Sequence, residues 1–408
     1  MRLLALLLTP FLAFSLTLEE AVKLARERAS EVRISRLDAE KARKEFLRSL
    51  SALLPRLSFT YSYTHLDPNL VFGFGIQDRQ EFSLSLIQTV FNLTALRAVW
   101  ASKEGEELKR LVLKDAEREI TYHTKDAFYA LLYRKALIEL GREELAYWRE
   151  YYRLVEKRYE AGLVPKIELV RARAQLKSSE ASLKQKETDY ENALEEFLAF
   201  LKLEKGEPEG SLELPPERFS YEELKEALLK NNSTLRVARK ALRLAGLQVK
   251  VVEGEYLPSV EAFADYRGFT GRKTLYGGTV WIKGYSVGLR VSYNLFDGLS
   301  REARRASARI EFLKEQERLL DLRYRLLAEL KKTLNALEAV SKQIEATRLS
   351  LEASKEALRL ATERYAHGVG SYLEVLEARK NLTETKARLY ELMYRRASLR
   401  AYLERLTR

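Results

Sequence analysis

The stretch RYAHGVGSYLEVLEAR, Arg364–Arg379, decides how the chain is read. Its first residues close a long run with apolar positions three and four apart. Its glycines stop that run, and its second half restarts the same spacing. Glycine is expected at such a reversal because it takes positive φ at low cost. The segment therefore reads as a helix, a tight turn and a second helix. The same design stands earlier as RYEAGLVPKIELVRAR, Arg158–Arg173. Arg158, Tyr159 and Gly162 match Arg364, Tyr365 and Gly368 at an offset of 206. Glu168, Ala172, Arg173 and Leu176 match Glu374, Ala378, Arg379 and Leu382 at the same offset.

Working outward, the match continues. Leu54-Pro55 corresponds to Leu257-Pro258 at an offset of 203, and Phe91-Asn92 to Phe296-Asp297 at 205. The drift falls in strands and loops, where insertions are tolerated. The chain thus reads as one unit written twice, residues 16–204 and 221–408. The linker 205–220 between them is rich in Pro, Gly and Glu. Each copy predicts a helix (18–53 or 221–256), two strands, a very long helix (93–159 or 297–365) and, past the glycine turn, a final helix (167–203 or 371–405). The long helix reaches about 100 Å at 1.5 Å per residue, more than a compact domain can hold. Two half-length helices laid end to end match it. The expected stacking puts 167–203 on 221–256, and 371–405 on 18–53.

The helices carry heptads. Leu337, Val340, Ile344, Thr347, Leu351, Ser354, Leu358, Ala361 and Tyr365 step by three and four throughout. Leu145, Trp148, Tyr152, Val155 and Tyr159 repeat the pattern in the first copy. Across the turns, Leu169, Ala172, Leu176, Ser179 and Leu183 correspond to Val375, Ala378, Leu382, Thr385 and Leu389. A sustained 3.5-residue period predicts paired, supercoiled helices.

The strands alternate. Leu57, Phe59, Tyr61 and Tyr63 share a face, as do Phe82, Leu84, Leu86, Gln88 and Val90. In the second copy Val260, Ala262, Ala264 and Tyr266 are followed by Val287, Leu289, Val291, Tyr293 and Leu295. This fits membrane-spanning barrel strands and also a sheet with one wet face. Four strands cannot close a spanning barrel, which needs about eight or more. If they cross a membrane, several chains share one barrel, and three chains supply twelve strands.

Composition narrows the chemistry. The 408 residues include no cysteine and eight prolines, and the formal net charge is +12. Histidines stand only at 65, 123 and 367. Thiolate metal sites, disulfides and cysteine nucleophiles are excluded. No Walker loop, GxSxG, HExxH or paired histidines occur, so neither an enzyme nor a metal or cofactor site is expected. Acidic residues sit at helical spacings among Lys and Arg, the pattern of solvated helix faces. The positive excess is spread along the chain, which argues against nucleic acid as a partner. Arg2, the apolar run Leu3–Phe14 and the small Ser15 read as a signal peptide over 1–15. The run spans about 18 Å as a helix, too short for a bilayer. An exported coiled-coil scaffold without a channel is the alternative these features leave open.

At this point the residues resemble a family. LEEAVKLA at Leu18–Ala25, Leu-Pro before a strand, VSYNLFDG at Val291–Gly298 and RYAHGVGSYLEVLEAR at Arg364–Arg379, in that order, are similar to TolC-type outer-membrane efflux proteins. The resemblance covers essentially the whole chain after the signal. It implies a mainly α fold with a small β part: a homotrimer whose strands form a twelve-strand transmembrane β-barrel in outer-membrane lipid, continued by a long α-helical barrel across the periplasm. It implies a passive exit duct of a tripartite efflux or type I secretion system, opened at its helical tip by a periplasmic adaptor and an inner-membrane transporter. It places a periplasmic gate at Glu374, Glu377, Tyr365 and Glu168, the two glutamates three apart on one helix face. It places adaptor contacts at the tip turns Gly162, Leu163, Val164, Gly368, Val369 and Gly370. An arginine that family members can carry after the second turn is replaced by Gly370.

Overall fold

The computed structural model describes residues 15–71, 76–215, 219–274 and 277–407. Apart from Ser15, the segment expected as a signal peptide lies outside the described residues. The chain begins with β1 (Ser15–Leu16), α1 (Leu18–Arg28) and α2 (Ser30–Ser51). Strands β2 (Arg56–His65) and β3 (Asp78–Phe91) follow, then helices α3 (Leu93–Glu160) and α4 (Lys166–Leu201). After β4 (Glu207–Pro208) the order recurs as α5 (Tyr221–Asn231), α6 (Ser233–Glu253), β5 (Ser259–Thr274), β6 (Gly277–Ser292), α7 (Ser300–Ala366) and α8 (Tyr372–Thr407).

The chain divides into two compact units, each drawing on both halves of the sequence. One comprises the described parts of residues 1–34, 114–233 and 323–408; the other comprises 35–113 and 234–322. In the first unit the core is aliphatic and aromatic: Leu16, Ile120, Phe128, Leu131, Leu201, Leu228, Leu330, Leu392 and Leu406 are fully buried. Leu16 enters it through β1, which pairs in parallel with β4. Helix α3 is 68 residues long and α7 is 67, and neither contains a proline to interrupt its hydrogen bonds. The heptad of α7 is the face that turns inward. Leu337, Val340 and Ile344 are buried, and Thr347 through Tyr365 are half-buried.

Two expectations are corrected. The helices expected over 18–53 and 221–256 each break once, at Ala29 and Asn232, where ψ opens to 133° and 123°. Both breaks are followed by serine, and Asn, Ser and Thr compete with helical hydrogen bonds through their own side chains. The Asn232 amide donates to the Leu406 carbonyl at 3.0 Å, and Ser233 donates to Asp115 at 2.5 Å. The stacking of half-length helices is also different. Helix α4 meets α1, with Arg28 donating to the Lys202 carbonyl at 3.2 Å, and α8 meets α5. Each half-length helix therefore adjoins a helix of its own copy.

The second unit holds a four-stranded antiparallel sheet in the order β2-β3-β5-β6. Its register sets out whole rows of one character. Leu57, Leu86, Ala264 and Val287 lie side by side, as do Phe59, Leu84, Tyr266 and Tyr285. The rows of the opposite face are Ser58, Ser85, Asp265 and Ser286, then Thr60, Ser83, Arg267 and Gly284. Ser85 donates to Asp265 at 2.5 Å on that polar face. The apolar face is bare: Leu57 is 68% exposed, Phe59 67% and Tyr285 83%. A register shift between Thr89 and Phe91 makes Val90 a bulge and sets Phe91, rather than Val90, opposite Val260. Tyr293 and Leu295 fall beyond the end of β6. No described strand pairs with the outer edge of β2 or of β6.

Candidate functional site

The two glycine turns lie in the first unit and have the same backbone. At the first, Gly162 takes φ 72°, its N–H donates to the Tyr159 carbonyl at 2.9 Å, and the Leu163 N–H donates to Arg158 at 2.8 Å. At the second, Gly368 takes φ 75°, donating to Tyr365 at 3.1 Å, and Val369 donates to Arg364 at 2.9 Å. Both are Schellman closures, which satisfy the last carbonyls of a helix and require a residue free to adopt positive φ. Leu163 and Val369 project into solvent, 74% and 73% exposed. Val164, expected beside them as an exposed contact, instead packs on the Trp148 cluster. The structure adds exposed Ile167 and Leu373, one turn further on.

The helices leave the turns differently. Pro165 starts α4 and offers no side-chain cap. Ser371 starts α8 with a reciprocal cap: its hydroxyl accepts from the Glu374 N–H at 3.3 Å, and its own N–H donates to the Glu374 carboxylate at 3.4 Å. Glu374 also meets Arg364 at 3.8 Å. A positive charge thus does stand beside this acid. It comes from before the turn, while Gly370 lies close against the Arg364 side chain. Glu377, one turn along α8, is exposed and forms no ion pair or hydrogen bond among the described residues.

Tyr365 is held from the first copy. Arg158 donates to its hydroxyl at 2.6 Å and sits 5.5 Å over its ring. Glu168 is half-buried and, among the described residues, does not bond to Tyr365; its charge helps raise the Tyr151 pKa. Next to Tyr365 lies Tyr372, with ring centroids 5.7 Å apart. Tyr372 stacks on Tyr151 of α3 at 4.0 Å with the planes 1° apart. Arg379 lies 4.5 Å over the ring of Tyr147, and Lys386 pairs with Glu143 at 2.6 Å. Burial pushes the phenols of Tyr147, Tyr151 and Tyr372 above the usual tyrosine range, so they are neutral. This ladder between α3 and α8 was not read from sequence. Its signal was the aromatic density of AYWREYYR at 146–153, of which the heptad reading used only Trp148 and Tyr152.

Among the described residues no three His, Cys, Asp or Glu gather into a metal-binding group. No described helix is long and apolar enough to cross a membrane.

The model of the outer membrane efflux protein family matches residues 21–201 and 224–407. Nodulation protein T of Rhizobium leguminosarum bv. trifolii is 24% identical over 287 residues, 66% of this chain and 59% of that protein. The alkaline protease secretion protein AprF of Pseudomonas aeruginosa is 24% identical over 94% of this chain and 82% of its own length. The crystal structure of the outer membrane protein VceC from Vibrio cholerae superposes with a TM-score of 0.81 at 19% identity, covering 96% of this chain and 95% of that one.

Proposed function

This chain belongs to the outer membrane efflux protein family, and from that premise we propose that three copies form one passive exit duct for efflux or secretion. It resides in the outer membrane and extends into the periplasm. The observation that carries the reading is the sheet: apolar and bare on one face, polar on the other, with neither outer edge paired among the described residues. Such a sheet cannot close alone, and three of them supply the twelve strands of a barrel with a lipid-facing band and a polar lumen. An exposed heptad on α7, Ile310, Leu313, Leu320 and Tyr324, supports burial against a neighbouring copy. The segment 1–15 serves export in this reading.

The tip turns, with Leu163 and Val369 bare, meet a periplasmic adaptor that carries the force of an inner-membrane transporter. The chain itself performs no catalysis. Glu374 and Glu377, tripled by symmetry, ring the entrance and favour cations. Because Glu374 is tied to Ser371 and Arg364 while Glu377 is free, Glu377 carries more of the selectivity. The test is conductance in planar bilayers with sizing in detergent. We expect a trimer whose cation preference falls more in Glu377→Gln than in Glu374→Gln. A monomer without conductance would end the channel reading; unchanged selectivity in both variants would remove the glutamates from the gate.

A further inference from the structure

The linker between the two copies touches the long helices of both, and it fits them differently. On the first copy it lies close. An added Cβ at Gly210 would sit 3.4 Å from Leu132 and 3.5 Å from Phe128 of α3. Leu212 is buried, and Glu207 reaches Lys135 at 3.6 Å. Tyr190 of α4 is half-buried, and burial together with the charge of Glu207 pushes its phenol up to about 12. On the second copy the linker stands off. Between Glu213, Leu214, Pro215 and Phe219 and the helices α7 and α8 lies a cleft of about 710 Å³. That is the size of a small-molecule site.

At the offset of 206, Tyr190 and Leu194 become Arg396 and Arg400, and both arginines line the cleft. Two apolar side chains of the first copy are thus cations in the second, where the space is. Arg396 donates through Nη2 to the Leu214 carbonyl at 2.6 Å. Its Nε is buried and has no hydrogen-bond partner among the described residues. Desolvation, and the like charges of Arg348 and Arg400, hold its pKa below the usual arginine value. Of the acids in the cleft, Glu213 already pairs with Arg348 at 2.6 Å and Glu338 with Lys342 at 2.8 Å; Glu345 is exposed. A buried donor without an acceptor costs free energy until something supplies one. Among the described residues Lys342, Arg348, Arg396 and Arg400 face Glu213, Glu338 and Glu345, an excess of one positive charge. The rest of the wall is largely apolar, with Leu214, Phe219, Leu337 and Ile344.

We propose that this cleft binds a small amphiphilic carboxylate, its charged end on Arg396 and Arg400 and its apolar body against Leu214, Phe219 and Ile344. Guanidinium groups take carboxylates through paired hydrogen bonds. The single excess charge suits a monoanion better than a phosphate dianion. A bare inorganic ion would leave the apolar wall and most of the volume unused. The site is built within one unit of one chain. It therefore goes beyond the duct reading and does not depend on three copies assembling. The test titrates the full chain, purified in non-ionic detergent, with 4-phenylbutyrate by calorimetry against matched micelles. Hydrogen exchange of the linker amides is followed in parallel.

The expected result is one saturable site per chain, with exchange slowed at Glu213, Leu214 and Phe219; this readout needs no variant. Arg396→Gln and Arg400→Gln should each weaken binding about ten-fold or more. Arg395→Gln, at an exposed position outside the cleft, should leave it unchanged. Absence of saturable binding, or saturation without protection of those amides, would overturn the inference. So would equal binding of 4-phenylbutylamine, which carries the opposite charge, or binding of inorganic phosphate as tight as that of phenylbutyrate. These failures would leave the duct reading untouched, whereas a chain that sizes as a monomer would end the duct reading and leave this site to be judged by the same titration.

Discussion

The turn at Gly162 and the turn at Gly368 close their helices with the same two hydrogen bonds and nearly the same φ, 72° and 75°. Three residues later they part company. Pro165 and Lys166 open α4, the first without a side-chain cap and the second exposed. Ser371 and Tyr372 open α8, the first in a reciprocal cap and the second half-buried, stacked on Tyr151. Backbone closure depends on one residue that tolerates positive φ, so it persists through duplication as long as glycine does. Side-chain chemistry has no such restriction, and the two copies have come to do different work on one scaffold.

Substitutions at matched positions can break this comparison. The largest difference is expected at the stack. Tyr372→Ala should cost about 2–3 kcal/mol of local stability, whereas Lys166→Ala should stay within ~0.5 kcal/mol. Hydrogen exchange of tip amides measures both, and equal effects would mean that the stack contributes nothing specific. At the glycines the copies should behave alike. Gly162→Ala and Gly368→Ala should each cost about 1 kcal/mol, because both force a Cβ into the left-handed region; unequal losses would show that the closures are not equivalent. At the caps they should diverge again, more weakly. Ser371→Ala should lose roughly 0.5–1 kcal/mol through its vacated cap, a loss with no counterpart at position 165, where no side-chain cap exists. The smallest effect is expected for Tyr372→Phe, within about 0.5 kcal/mol, because the buried hydroxyl lacks a partner at hydrogen-bond geometry. A large loss there would identify the hydroxyl, rather than the ring, as the working part.

The heptads made the long helices legible, since a 3.5-residue period over nine positions from Leu337 to Tyr365 has few other readings. Strand faces were legible for the same reason, up to the bulge at Val90, where an extra residue breaks a period of two. The helix breaks were half-legible. Asn231-Asn232-Ser233-Thr234 is a run of poor helix formers, but Ala29-Ser30 resembles its helical surroundings. At the site, the glycines and the exposed Glu377 could be placed from sequence. The tie of Glu374 to Ser371 is also a local, i to i+3 matter, and the Ser-x-x-Glu spacing was there to be read. Arg158 on Tyr365 was not legible, because its partners are 207 positions apart.

Sequence by itself determined the long helices, the four strands of the sheet and the glycine turns of this protein, because period, proline and glycine act through neighbours along the chain. It determined the duplication too, since matched residues at a constant offset need no coordinates. Only the tertiary structure decided which half-length helix adjoins which, and that Tyr372 buries its ring on Tyr151 while Lys166 stays in solvent. Those outcomes turn on close packing between distant segments. Attraction there falls away within an ångström or so of separation, a scale on which a periodic pattern carries no information.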